Sequence, residues 1–365
     1  MQFTPTEDQV LLRDSVRRFI EREHAARKRP ALGHDPAIWA LFGEQGWLAA
    51  GLPEAVGGLG GGAFDTALIA EELGRGLVPE AYVAVASATA QLLVRIDPAG
   101  PLLASLAWGE ARPTLAHSEA AARGDRRWIE TRARADGDGY ILDGAKTAIE
   151  GGPAATTWLV SARLHGSDEL ALFAVTADAP GVHAQHFRTV DNRGASNLVF
   201  EQARLGAETR IGAGGDVEAA LDFALDHGLV AAGAEAVGAM EAALALTTDY
   251  LRTRKQFGQL IGDFQALRHR LADMFIELEQ ARSIVLRAIE ALAADDPKER
   301  ARVVAASKVR VGQAARFVGA QAIQLHGGIG VTEEYAVGQY FKRLTMFGLH
   351  GGTEAAHLER YVSLG

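Results

Sequence analysis

The chain has 365 residues, 48% of them hydrophobic, with a formal net charge of −9 and no cysteine. That length can bury a large core and suits two or three domains. The acidic balance argues against a nucleic-acid surface, which needs clustered positive charge, and the missing cysteines exclude disulfides, thiolate catalysis and Cys-ligated zinc or iron–sulfur centres.

No run of about 18 apolar residues is present, and the start (Met1-Gln2-Phe3-Thr4-Pro5) lacks a basic stretch before an apolar one. The sequence therefore predicts neither a membrane span nor a secretion signal, and the cytoplasm is the default compartment. Thr6-Glu7-Asp8-Gln9 reads as a capping box, and Val10, Leu11, Val16, Phe19 and Ile20 give the apolar spacing of a first helix ending before Pro30. A short helix is expected from Pro36 to Gly46. The glycine-rich run Leu52 to Gly62 has no strand before it and no Lys-Ser/Thr after it, so it reads as a connection between helices, not a nucleotide loop. The next helix contains Ala70-Glu71-Glu72-Leu73-Gly74, and alanine-rich helical sequence continues to about Leu106.

From about Thr114 the period changes. Trp128 to Ala133, Tyr140 to Leu142, Thr157 to Val160, Leu170 to Val175 and Asn197 to Phe200 are short apolar or alternating runs divided by Asp-Gly and Gly-rich breaks, the pattern of a small antiparallel barrel or sandwich. Gly139-Tyr140-Ile141-Leu142-Asp143-Gly144-Ala145-Lys146-Thr147 invites a phosphate-loop reading, but Ala145 separates Gly144 from Lys146. The segment reads instead as strand, Asp143-Gly144 turn, strand. His183 and His186 lie in β-like sequence, where their spacing faces opposite sides and cannot build one metal site.

After Gly214-Gly215 helical periodicity returns, at about Val217 to Arg252, Phe264 to Ala294, Lys298 to Ile323 and Thr353 to Val362. Two stretches punctuate it. Arg252-Thr253-Arg254-Lys255-Gln256-Phe257-Gly258 sets Arg254, a permanently charged planar fork suited to a pyrophosphate, three residues before the aromatic face of Phe257. Gln324-Leu325-His326-Gly327-Gly328-Ile329-Gly330 must end a helix, and backbone amides beside glycines allow a dinucleotide to approach closely.

Together, Arg254-x-x-Phe257-Gly258 and Gln324-x-x-Gly327-Gly328 resemble the acyl-CoA dehydrogenase family over nearly the whole chain. The resemblance implies an N-terminal α-helical domain (1–112), a middle β-barrel domain (113–212) and a C-terminal four-helix bundle (213–365). It also implies an acyl-CoA substrate, an electron-transfer flavoprotein as acceptor, and FAD held by one subunit and reached by Arg254, Phe257, Gln324, Gly327 and Gly328 of its neighbour. Lys255 reads as a solvated charge. His326 and His350 flank these loops, either as donors to a phosphate or carbonyl or as packing groups.

The departures from the family carry information. The Glu that removes the substrate α-proton stands, by the count from Gly327, at Gly351, with Gly352-Thr353 completing its motif. The flavin-cradling Thr-Glu-Pro-x-x-Gly-Ser-Asp loop corresponds to His117-Ser118-Glu119-Ala120-Ala121-Ala122-Arg123-Gly124-Asp125, and Trp-Ile-Thr to Ala148-Ile149-Glu150, whose carboxylate would disfavour an anionic reduced flavin. The relocated base of some members falls at Gly228, two residues from Asp226; Glu235 and Glu354 read as helical surface residues. The chain thus keeps what it would lend to a neighbour and lacks what it would use itself. That asymmetry predicts an α2β2 assembly with a homologous catalytic subunit sharing its FAD. Two alternatives stand beside it: a homomeric enzyme using Asp226, and a non-enzymatic CoA-ester-binding relative.

Overall fold

The computed structural model describes residues 4–24, 32–294 and 296–365. Helix α1 (Glu7–Phe19) starts at the expected capping box: Thr6 Oγ1 accepts from Gln9 N–H, and the Gln9 side chain accepts from Thr6 N–H. A π-helical turn (Ile20–His24) follows; the end expected before Pro30 lies outside the described residues. Asp35 caps α2 (Pro36–Glu44), which has proline at its first position. The glycine-rich run holds only a 3₁₀ turn at Glu54–Val56 before α3 (Ala63–Arg75). A π-helical segment (Val83–Thr89), α4 (Ala90–Ile96) and α5 (Pro101–Ala107) complete the helices before the sheet.

Eight strands form one mainly antiparallel sheet among the described residues. They are β1 (Pro113–Ala116), β2 (Arg132–Asp136), β3 (Gly139–Glu150), β4 (Thr157–Leu164), β5 (Leu170–Thr176), β6 (Val182–Arg188), β7 (Gly194–Leu205) and β8 (Arg210–Ala213), in the order β6-β7-β3-β2-β4-β5-β8, with β1 beside β4. Trp158, Phe173, Leu198 and Phe200 fill its core. Two expectations are corrected here. Asp143-Gly144 is not a turn, because β3 runs through it with a bulge against β7; Asp143 accepts from Gln202 N–H at 2.8 Å, and Gly144 passes so close to Thr131 that a Cβ would lie 2.7 Å from its Cα. Residues 128–131 are not strand, because the buried Glu119 carboxylate takes the N–H groups of Glu130 and Thr131.

The C-terminal helices are α6 (Gly215–Thr253), α7 (Gln265–Leu292), α8 (Pro297–His326), α9 (Ala336–Leu349) and α10 (Glu354–Ser363), with a hairpin of β9 (Lys255–Gln256) and β10 (Gln259–Leu260) after α6. Helix α9 was not among the expected elements; it packs on α8, where Gly319 lets Phe341 and Leu344 approach. By length and composition α6 could cross a membrane, but most of its apolar stretch is buried inside the protein. Glycines set its contact with α3: a Cβ at Gly238 would lie 1.8 Å from Glu71 O, and one at Gly74 2.0 Å from Glu235 O.

The described residues fall into two compact units. One contains the described residues up to His24, Ala67–Val78 and Leu229–Gly365; the other contains residues 32–66 and Pro79–Gly228. In the first, Arg17, Arg75 and Arg282 bridge Glu71, Glu72 and Glu241. Glu235, expected on the surface, is 7% exposed and pairs with Arg343 at 3.3 Å, a partner 108 residues away in sequence. Glu354 bonds Gln313 at 2.6 Å.

Candidate dinucleotide-binding arm

Helix α6 hands over to the hairpin at Arg254, whose N–H donates to Tyr250 O at 2.9 Å. Among the described residues the Arg254 side chain has no ion pair or hydrogen bond, and Arg252 and Lys255 beside it are equally exposed. A local cationic surface thus stands on a chain of net negative charge. The hairpin turns through Phe257 (φ 54°) and Gly258 (φ 80°), both left-handed as a two-residue type I′ turn requires. Asparagine usually fills the first of these positions, and a bulky residue there is strained by about 1–3 kcal/mol. Phe257 is nonetheless 91% exposed, and among the described residues its one aromatic contact is edge-on with Phe264 at a 6.1 Å ring distance. Phe257 thus combines a left-handed backbone with a ring left almost wholly to solvent.

At the end of α8, Gln324 points from the exposed side and Gly327 (φ 62°) ends the helix, as the sequence requires. A Cβ on Gly327 or Gly328 would meet nothing within 4 Å, so their backbone lies open on one side. The two helix ends meet through His326, whose ring stacks on Tyr250 at 4.5 Å and faces Tyr335 at 5.0 Å. His326 is 3% exposed and bonds Ala322 O through Nδ1 at 2.8 Å; burial lowers its pKa, so the ring is neutral, with Nδ1 the donor. The donor role considered for it toward a phosphate is therefore replaced by packing. His350 ends α9, its N–H bonded to Met346 O.

Gly351 is left-handed (φ 63°), and a Cβ there would lie 2.7 Å from Leu229 Cδ2. His357 Nε2 bonds its carbonyl at 2.9 Å, and Thr353 caps α10. Asp226 is 0% exposed and bound to Arg126 at 2.8 Å. Gly228 faces Ala88, whose Cβ would be 3.0 Å from a Cβ placed there.

In the other compact unit, the stretch 117–131 is braced from within. Lys146, fully buried, donates to Glu119 at 2.7 Å and to Ser161 at 3.1 Å. Burial pushes its pKa down to about 8; burial would raise that of Glu119, but Lys146 and the surrounding donors hold it below the usual range. His117, between Ser161 and Arg126 O, is driven to about 3 by burial and the nearby Lys146. Glu150, whose carboxylate is expected from the sequence to disfavour an anionic reduced flavin, pairs with Arg193, so its charge is balanced within the chain. Sequence reasoning missed the roles of Tyr250, Lys146 and Arg193, because each is defined by partners far along the chain.

Residues 6–96, 114–203 and 217–362 match the N-terminal, middle and C-terminal domains of acyl-CoA dehydrogenases. A probable acyl-CoA dehydrogenase of Bacillus subtilis, YngJ, is 30% identical over 99% of this chain and 98% of its own. The chain belongs to the acyl-CoA dehydrogenase family. Two solved structures similar to this member of the family carry the names of two components each. The ChsE4–ChsE5 complex from Mycobacterium tuberculosis superposes with TM-score 0.87, at 27% identity over 100% of this chain and 98% of the other. The Tcur3481–Tcur3483 steroid ACAD gives 0.86 and 29%, over 98% and 97%.

Proposed function

We propose that this chain is the base-less subunit of a heteromeric, FAD-dependent acyl-CoA dehydrogenase, and that it completes the FAD site of a homologous catalytic subunit in an α2β2 assembly. The observation that carries the reading is the contrast between two sets of residues. Arg254, Phe257, Gln324, Gly327 and Gly328 are all exposed, and among the described residues the Arg254 side chain has no hydrogen-bond or ion-pair partner, whereas Gly351 has no side chain to take a proton. The exposed set fits a dinucleotide: a free planar cation for the pyrophosphate, open backbone at two glycines, an exposed aromatic face, and the Gln324 amide. When bound, FAD supplies the two-electron oxidant for α,β-dehydrogenation of an acyl-CoA thioester. Arg254 would neutralise and orient the pyrophosphate, and Phe257 would pack on the cofactor from outside its own subunit.

Removing the α-proton needs a positioned base, and its loss forfeits about 10²- to 10⁴-fold in rate. The partner supplies that base in this reading. A self-sufficient enzyme using Asp226 would have to break the buried Asp226–Arg126 pair, and a carboxylate held by a guanidinium is a weakened base. A scaffold without cofactor leaves the strain at Phe257 unexplained. We place the complex in the cytoplasm, with electron-transfer flavoprotein as acceptor and bulky, steroid-like acyl-CoA esters as the substrate class suggested by the steroid ACAD relative. The test is an Arg254→Ala substitution in this chain alone, within the co-purified complex. FAD should be lost from the complex although the catalytic subunit is unaltered; retention of FAD at wild-type affinity would refute the reading.

A further inference from the structure

We propose that His326 is a positioning residue for the dinucleotide-binding arm, its ring clamping the end of α8 to the end of α6 through Tyr250. This rests on the reading of Arg254 and the Gln324–Gly328 segment as one arm reaching a neighbour's FAD, and adds to it a residue that holds the arm's two halves together.

Those halves come from helices far apart in sequence, and each ends where its binding residues begin. His326 is the last residue of α8, directly before Gly327. Its Nδ1–H donates back to Ala322 O in the final turn, which fixes the ring plane. One face stacks on Tyr250 at 4.5 Å with 28° between planes, and Tyr335, beyond the glycine turn, stands at 5.0 Å. Tyr250 is in turn the residue whose carbonyl receives the Arg254 N–H. Arg254 and Gly327 are therefore each one residue-to-residue contact away from the same pair of rings. The 3₁₀ turn at Gly327–Val331 folds back onto this hub: a Cβ at Gly330 would lie 3.0 Å from His326 Cβ and 2.9 Å from Ile323 O.

The ring suits this task because it is neutral. Its Nε2 is buried and has no hydrogen-bond partner among the described residues, a site that would penalise a second proton, and burial depresses its basicity accordingly. A flat, uncharged ring of this size stacks without bringing charge under the cationic hairpin. The ring touches no ligand in this account; it acts through the places it gives to Arg254 and to the open glycines.

The experiment measures FAD affinity of the flavin-loaded assembly the chain forms, by reconstitution followed through flavin fluorescence. His326→Ala and Tyr250→Ala should each weaken FAD by about tenfold, the scale on which supporting groups act, and the double variant should be no worse than the poorer single one. His326→Phe keeps the flat face and should remain within about threefold of wild type, whereas His326→Leu, which lacks it, should behave like His326→Ala. Should the alanine variant fail to fold, the Phe and Leu pair decides, and equal affinities for those two overturn the clamp. Arg254→Ala separates this inference from the reading beneath it. Unchanged affinity in Arg254→Ala removes the arm itself. Weakened affinity there, with wild-type affinity in His326→Ala and Tyr250→Ala or a loss confined to thermal stability, removes only the clamp.

Discussion

Gly351→Glu, which would place a carboxylate at the proposed base position, should destabilise the chain, and the local geometry sets the size of the loss. Residue 351 has φ 63°, and a side chain in that left-handed region costs about 1–2 kcal/mol relative to glycine. The new Cβ would also lie 2.7 Å from Cδ2 of buried Leu229, whose side chain must shift; overpacking of this kind costs about 1–3 kcal/mol. Against these, removing a glycine stabilises by about 0.4–1 kcal/mol through the unfolded chain. The net is a loss of about 1–4.6 kcal/mol, read as a fall in the denaturation midpoint of the purified chain. Combining Gly351→Glu with Leu229→Ala should show a favourable coupling of about 0.5–3 kcal/mol in a double-mutant cycle, since the two side chains compete for one volume. A Gly351→Glu variant as stable as wild type, with no coupling to Leu229, would refute the reasoning.

Asp226→Asn should lower stability, because it weakens the buried pair with Arg126, yet leave the turnover of the complex within about twofold; a fall of about 10²-fold or more with FAD still bound would identify Asp226 as the base. Phe257→Asn should stabilise the isolated chain by up to about 1 kcal/mol, since asparagine accepts the left-handed turn position, while weakening FAD in the complex; lower stability would show that Phe257 serves the fold. Lys308, 4% exposed, donates to Phe347 O with its ammonium 4.0 Å from that residue's ring, and burial alone lowers its pKa to about 7. Between pH 7 and 10.5 the unfolded chain keeps a proton that the folded chain has lost, so this residue's effect on stability becomes more favourable with rising pH. Lys308→Met should therefore compare best with wild type near pH 6 and lose that relative advantage by about pH 10; a pH-independent difference would contradict the assignment.

Local rules were the ones legible in the sequence. Thr6 and Gln9 announce their helix start, Pro36 its neighbour's, and Gly327 the end of α8, because each acts within a few residues. Long-range pairing was not legible. Glu235 reads as a surface residue until Arg343 is brought to it, and Glu150 reads as a charge that disfavours an anionic reduced flavin until Arg193 meets it. Helix α9 escaped notice because Gly338, Thr345 and Gly348 dilute its helical signal, while its buried residues Tyr340, Leu344 and Phe347 are recognised only once α8 lies against them. Strand β6 shows in the sequence only as β-like character around His183 and His186, without bounds, because much of it is exposed and polar and has little apolar alternation to read. At Asp143-Gly144 the dipeptide that usually turns a chain is used for a bulge instead, since Thr131 demands a residue without a side chain. In the arm, the residue types could be read, but not the left-handed strain of Phe257 or the stacking of His326 on Tyr250.

The most direct measurement is the ratio of FAD to polypeptide in the complex formed when this chain is co-expressed with its catalytic relative, by native mass and flavin absorbance. The account predicts one FAD for every two chains. A homotetramer of this chain alone, carrying one FAD per subunit, would contradict it.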